Sequence, residues 1–146
     1  MSEEEDVKMI AGFEIRVIEA RRLVPVGSQK NIRIDHNSTV TTISLKSPEE
    51  AKVDFRFTAS YGAVGIINIE GSLIYRGDAA ALVKEWEEKR RMPDEAAQEI
   101  HSAIMGNCIT EAIIMAREVR LPPPIPLPKV NIQKKPGKPV PGPEVM

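Results

Sequence analysis

The chain has 146 residues, of which 42% are hydrophobic, and a formal net charge of -1. This length and composition can fill the core of one domain, and the low net charge excludes a strong overall field for nucleic acid or an anionic membrane. The single cysteine, Cys108, excludes an intramolecular disulfide and a multi-cysteine metal site. No apolar run reaches the ~18 residues of a membrane span, and the acidic segment 2–6 does not fit the start of a signal peptide. We therefore expect a soluble, cytoplasmic protein with no membrane insertion.

The two ends of the chain carry opposite charge. Residues 1–8 hold four acidic residues against Lys8, and residues 129–146 hold four lysines against Glu144. Short segments rich in charge and poor in apolar residues stay solvated, because they cannot bury enough apolar surface. The sequence predicts an acidic disordered tail over residues 1–9, a folded domain over 10–130 and a flexible Pro/Lys-rich tail over 131–146.

Alternating apolar and polar residues predict strands in the first half of the chain. The clearest is Lys52 to Tyr61, with one buried and one solvated face, as in an antiparallel sheet. His36 lies in a short polar stretch that we interpret as a turn. The predicted strands, four to five in number, are 12–23, 31–35, 40–46, 52–61 and 66–75.

Two helices are predicted in the second half, so the fold class is α+β with an antiparallel sheet. Asp78 caps a short helix that ends at Met92, and Pro93 opens a long helix that ends before a run of prolines. The long helix has two apolar stripes, more than a surface helix needs. The second stripe consists of Met105, Ile109, Ile113 and Ala116, and we expect Met105, Ile109 and Ile113 to contact another subunit. Gly106 predicts a kink or a close backbone approach.

No group of residues predicts catalysis or a cofactor. His101 and Cys108 share a helix face but lie about 10 Å apart along the axis, beyond the hydrogen-bond reach that a nucleophile and its base need. Gly62 and Gly65 stand between two strands rather than between a strand and a helix, so they do not form a phosphate-binding loop. The sequence predicts no enzyme, no metal and no cofactor.

Two segments near the end admit two interpretations each. The proline run 122–128 is either a ligand for a proline-recognising partner or a segment that packs across the domain with Ile125 and Leu127 pointing in. The even spacing of the apolar residues favours packing. The lysines of the last segment could contact ribosomal RNA, although aromatic residues, at 4%, are too few for a base-stacking platform.

Four stretches resemble the bacterial export chaperone SecB and its SecB-like relatives in archaea and in toxin–antitoxin systems. FEIRVIEARRL resembles the first strand, VPVGS the apolar crossover loop and FRFTASYG the central hairpin of that family. The most specific is NCITEAIIMAREVRLPPPIPLPKVN, which resembles a helix that runs into a Pro-rich, alternating apolar segment. The resemblance covers residues 10–132.

The resemblance implies a four-stranded antiparallel sheet packed with helices, and assembly as dimers or tetramers. It also implies an ATP-independent holdase that binds unfolded or nascent polypeptides in apolar grooves. Carried over to this sequence, the client-binding residues would be Leu23, Val24, Val26, Ile125 and Leu127. The bacterial chaperone ends in an acidic tail that docks the export motor, whereas this tail is basic, so the resemblance does not extend to that motor. The alternative is a non-catalytic adaptor or structural subunit of a larger assembly, docked on a ribosome by its basic tail.

Overall fold

A computed structural model describes residues 9–28 and 31–125. The strands come first and the helices second, as the order of sequence patterns predicts. The elements are β1 (Ile10–Arg22), β2 (Asp35–Ser47), β3 (Glu50–Ser60), β4 (Gly65–Arg76), α1 (Ala79–Lys89) and α2 (Asp94–Glu118).

The four strands form one antiparallel sheet in the order β1-β4-β3-β2. Strands β2, β3 and β4 follow one another through short turns. Strand β1 pairs with β4 instead, so β1 and β2 occupy opposite edges. The connection from β1 to β2 therefore joins opposite edges of the sheet, and we call its described first part, residues 23–28, the crossover segment. We call the end of the sheet that holds Arg22, Asp35, Ser60 and Gly65 the upper end.

The sheet has four strands, and the prediction of a fifth is wrong. Strand β2 contains both the predicted turn around His36 and the predicted strand 40–46, whereas residues 31–34 of the predicted strand 31–35 contain no strand. Strand β2 pairs with β3 from Asp35 opposite Ser60 to Ser47 opposite Glu50. His36 is therefore a strand residue rather than a turn residue, because pairing along a whole neighbouring strand outweighs the turn preference of a few polar side chains.

Both helices cover one face of the sheet, which we call the helix face. Alternate residues of β3 point to this face, and those from Ala51 to Ala59 are at most 2% exposed. Helix α2 lays a stripe against them at intervals of four residues, formed by Ala96, Ile100, Ile104, Cys108, Ala112 and Ala116. The Asp78 side chain accepts a hydrogen bond from the Ala81 amide and so caps α1, as predicted.

Two glycines have contrasting surroundings. A Cβ on Gly71 would overlap the carbonyl oxygen of Glu14 and would come within 2.9 Å of the Phe55 ring. Glycine at this position therefore lets β1 approach β4 closely at a bulge in β1. A Cβ on Gly106 would meet no described atom within 4 Å, and α2 is continuous there. The expected kink or close approach at Gly106 is thus not found within the described part of the chain.

The opposite face of the sheet is polar and internally paired. Asp54 accepts a hydrogen bond from Thr42 and lies 3.7 Å from the Arg16 guanidinium. Arg56 pairs with Glu70 at 3.0 Å. Exposed pairs of this kind contribute little stability, about 0–1 kcal/mol each, but they leave this face with few unmatched charges.

Candidate functional site

Helix α2 ends at the upper end of the sheet. The residues that follow it turn back and pack against the sheet. Val119 caps the helix, and Arg120 follows in a left-handed conformation with φ of 60°. The Leu121 amide then donates to the Ala116 carbonyl oxygen at 2.8 Å. This turn buries Leu121, whose methyl groups would lie 3.0–3.2 Å from a Cβ on Gly65.

The prolines after this turn cross the helix face from β4 toward β2. The Tyr61 hydroxyl donates to the Pro122 carbonyl oxygen at 2.6 Å, and His36 Nε2 lies 2.7 Å from the Pro124 carbonyl oxygen. Pro124 is buried, whereas Ile125 is 42% exposed. Residues 122–125 do pack across the domain, but the prediction that Ile125 points in is wrong.

The period of the backbone explains this error. A proline-rich segment has about three residues per turn, so Leu121 and Pro124 share the buried side and Ile125 does not. The prediction used the two-residue period of a strand. Leu127, the other residue predicted for this segment, lies outside the described residues.

The crossover segment is fixed to the end of α2 by Arg22. Its Nε donates to the Val119 carbonyl oxygen at 2.8 Å, and its Nη1 donates to the Val24 carbonyl oxygen at 2.6 Å. The Leu23 amide adds a bond of 2.7 Å to the Val64 carbonyl oxygen. Sequence reasoning missed this role for Arg22, because an arginine at the end of a strand gives no sign of the carbonyl groups it will reach.

The tip of the crossover segment is a tight turn. The Ser28 amide donates to the Pro25 carbonyl oxygen at 3.1 Å, and Gly27 has φ of 82°, as the third residue of a type II turn requires. This turn places Val26 at the tip, 57% exposed, while Leu23 is 59% exposed. Val24, the third predicted residue of the loop, is half-buried against the core.

The structure brings the exposed predicted residues to the same end of the molecule. We call Leu23, Val26 and Ile125 the upper apolar surface. Leu23 follows the edge strand β1, and Ile125 follows Pro124, which contacts β2 at the other edge. Three strand spacings of about 4.8 Å separate these edges, so about five residues of an extended polypeptide would span the distance.

The second predicted group lies on α2. Met105, Ile109 and Ile113 are all half-buried, and Met105 and Ile109 pack in part against the core of the same chain. Their contact with another subunit stays a prediction. Ile114, which was not predicted, is more open, with 49% of its surface exposed.

Of the two side chains first considered for catalysis, Cys108 is buried and His101 is half-buried. His101 Nδ1 lies 2.7 Å from Ser38 Oγ, and burial lowers the pKa of its ring. Burial, together with the nearby Glu111, raises the pKa of the Cys108 thiol to about 12, so the thiol stays protonated. Among residues 9–28 and 31–125, no group of three or more His, Cys, Asp and Glu side chains lies where it could hold a metal ion.

A groove of about 470 Å³ lies beside His101, between β2 and the junction of the two helices. Trp86 and Arg90 line it, and the Arg90 guanidinium lies 5.5 Å from the centre of the Trp86 ring. A second groove, of about 720 Å³, lies between the start of β1 and α2 and includes Phe13 and Asn107. Within the described ranges, neither helix is long and apolar enough to cross a membrane.

Comparison with known proteins gives no match to a protein-family model and none to a curated protein sequence. Among solved structures, the chain is similar to the Mycobacterium tuberculosis Rv1957 SecB-like chaperone in complex with a ChAD peptide from the Rv1956 HigA1 antitoxin. The TM-score is 0.55, the identity is 11%, and the match covers 87% of this chain and 94% of that chain. An identity this low shows the fold alone. The chain has a SecB-like α+β fold, as the resemblance of its four sequence stretches predicts.

Proposed function

We propose that this chain is a non-enzymatic, ATP-independent chaperone that holds unfolded or nascent polypeptides on its upper apolar surface. The observation that carries the proposal is the exposure of Leu23 and Val26 on a backbone held in place by Arg22. The proposed activity needs no nucleotide, metal or cofactor.

Exposed apolar side chains on a fixed backbone suit the binding of flexible polypeptides. Apolar side chains exposed at one end of a protein can form an interaction site, and a site ordered in advance loses little conformational entropy on binding. The Arg22 hydrogen bonds and the Gly27 turn supply that order for the crossover segment. Tyr61 and His36 supply it for the segment that ends in Ile125.

The partners in this proposal are non-native polypeptides and further copies of the same chain. The structure of Rv1957 contains a bound peptide, and a polypeptide ligand is what we assign to this chain. The half-buried stripe of Met105, Ile109 and Ile113 supports assembly into a dimer or tetramer, because its own chain covers these apolar side chains only in part.

The test is the aggregation of a chemically unfolded client protein after dilution, followed by light scattering with an equal molar amount of this chain. We expect suppression by the parent chain and at least a severalfold loss of suppression in the Leu23→Asp/Val26→Asp double variant. Both side chains are more than half exposed, so the double variant should fold normally.

Val17→Asp, which places one aspartate at an exposed apolar position away from this surface, is the control for this experiment. Val17 is 44% exposed and lies on the polar face of the sheet, opposite Glu70 in the β1–β4 register. It should suppress aggregation as well as the parent chain. Equal suppression by all three proteins, or no suppression of several clients by the parent chain, contradicts the proposal.

The charge of the last segment favours a second candidate, a non-catalytic adaptor subunit docked on a ribosome or another assembly. Residues 129–146 carry four lysines against one glutamate, and basic extended segments bind nucleic-acid surfaces in a salt-dependent manner. Cosedimentation with ribosomes at low salt, lost when residues 131–146 are deleted, would support it. Absence of cosedimentation at low salt contradicts it.

A further inference from the structure

We infer that the polypeptides bound by the upper apolar surface carry acidic residues beside their apolar ones. This inference rests on the proposed function and adds the chemical class of the client. Its basis is a group of three arginines around the surface, formed by Arg22, Arg117 and Arg120, which we call the arginine group.

The arginine group differs from most of the other arginines in the described ranges. Six of those form ion pairs of 3.0–3.7 Å with carboxylates, namely Arg16, Arg21, Arg33, Arg56, Arg76 and Arg91. Within the described ranges, no carboxylate pairs with Arg22, Arg117 or Arg120. Arg22 instead donates to backbone carbonyl groups, which are neutral.

The net charge of the arginine group and its neighbours at the upper end of the molecule is positive. The arginine group carries three positive charges, and Glu118 at the end of α2 supplies one negative charge. The C-terminus of α2 adds about half a negative charge through the helix dipole. The remainder, roughly +1.5, lies next to Leu23 and Val26, because Arg22 connects Val119 of the helix end to Val24 of the crossover segment.

A nucleic acid would also supply negative charge, but it fits the neighbouring side chains poorly. The exposed residues beside the arginine group are aliphatic, whereas proteins that bind single-stranded nucleic acid stack bases on aromatic rings. Aliphatic side chains contact apolar side chains of a polypeptide, and the arginines add attraction for its carboxylates.

Two labelled peptides of about twelve residues test this inference by fluorescence anisotropy. Both have the same central Leu/Val/Phe segment, with Asp and Glu on each side of it in one and Lys and Arg in the other. We expect the acidic peptide to bind about tenfold more tightly at 50 mM salt, and the difference to shrink severalfold at 300 mM salt because salt screens exposed charges.

Charge reversal identifies the residues responsible. Arg117→Glu/Arg120→Glu should weaken the acidic peptide by about tenfold and leave the basic peptide unchanged or tighter. Lys89→Glu/Arg90→Glu is the matched control, with the same change of net charge in the last turn of α1 and at its left-handed cap, where Arg90 has φ of 55°. The control should bind both peptides as the parent chain does.

The outcomes separate this inference from the proposed function. If neither peptide binds and no client is protected, the proposed function fails. If both peptides bind equally, or the basic one binds more tightly, the function stands and the acidic preference is overturned. Polyuridylate that displaces the acidic peptide at a lower concentration than unlabelled acidic peptide would overturn it in favour of RNA. A peptide of residues 1–12 that binds as tightly as the acidic peptide would overturn it in favour of a second copy of the chain.

Discussion

The Tyr61 hydroxyl donates a hydrogen bond of 2.6 Å to the Pro122 carbonyl oxygen, which ties the end of β3 to the segment that follows α2. Tyr61 is 1% exposed, so this bond is shielded from water. The bond of Arg22 to the Val119 carbonyl oxygen lies just before the turn at residues 119–121, and the Tyr61 bond lies just after it. The two bonds together fix the end of the long helix.

Tyr61→Phe should lower the free energy of unfolding by about 1 kcal/mol, the usual contribution of one intramolecular hydrogen bond. Urea denaturation measures this change. Tyr75→Phe is the control, because the Tyr75 hydroxyl makes no hydrogen bond within the described residues, and it should change stability by less than about 0.5 kcal/mol. Equal effects of the two substitutions would show that the Pro122 bond contributes nothing.

Stability should fall as the pH rises above 9. Burial raises the pKa of Cys108 from 9.0 to about 12 and that of Tyr61 from 10.0 to about 12. The folded state keeps both protons while the unfolded state loses them, so the stabilisation is complete below pH 9 and is lost as the pH rises toward 12. Between pH 9 and 10 the expected loss is about 1 kcal/mol from Cys108 and a few tenths of a kcal/mol from Tyr61, which begins to ionise in the unfolded state.

Urea denaturation of the parent chain and of Cys108→Ala at pH 8, 9.5 and 10.5 measures this loss. The variant is less stable at pH 8, because a buried side chain has been shortened. Its loss of stability between pH 8 and 9.5 should nevertheless be smaller than that of the parent chain. Parallel pH profiles would contradict the assignment to the thiol.

Ile113→Asp should reduce the proposed oligomer to smaller species, because a charge placed in the proposed apolar contact between subunits could not be solvated there. Size-exclusion chromatography with light scattering measures the mass. Thr110→Asp, at an exposed position of the same helix, is the control and should keep the parent mass. A parent chain that is monomeric at 100 μM would remove the reason for the predicted interface.

Gly71→Ala and Gly106→Ala should change stability in opposite directions. The added methyl group at Gly71 overlaps the Glu14 carbonyl oxygen, so β1 must move away from β4 at a loss of roughly 2 kcal/mol or more. At Gly106 the methyl group enters open space, and better helix propensity should add about 0.5–1 kcal/mol.

Thermal denaturation measures both glycine changes. A lower melting temperature for Gly106→Ala would indicate that a neighbouring subunit approaches the helix closely at this point. An unchanged melting temperature for Gly71→Ala would mean that β1 can shift without loss.

The sequence predicts the elements whose signals are local. The start of α2 after Pro93, its end before the prolines, the cap at Asp78 and the alternation of β3 all depend on neighbouring residues, and the structure has each of them. The fold class follows from their order.

The features that the sequence does not predict depend on distant partners. His36 lies in β2 because β3 pairs along the whole strand, and Ile125 is exposed because the prolines follow a three-residue period. The upper apolar surface could be predicted only as separate residues. The arginine that connects its loop to α2 acts through carbonyl groups, which no side-chain pattern records.

The strand order has a consequence for the folding of the chain while the ribosome is still synthesising it. Strands β2 and β3 can pair as soon as Ser60 has emerged, whereas β1, although it is made first, must wait until β4 has emerged as far as Arg76. Ile10 finally pairs with Tyr75, so this contact is among the most non-local in the sheet, and such contacts form slowly. During that interval the nascent chain displays Val17 and Ile18 on an unpaired strand. Until β4 has been made, the nascent chain is therefore an incompletely folded polypeptide with exposed apolar residues, which is the kind of substrate that chaperones protect.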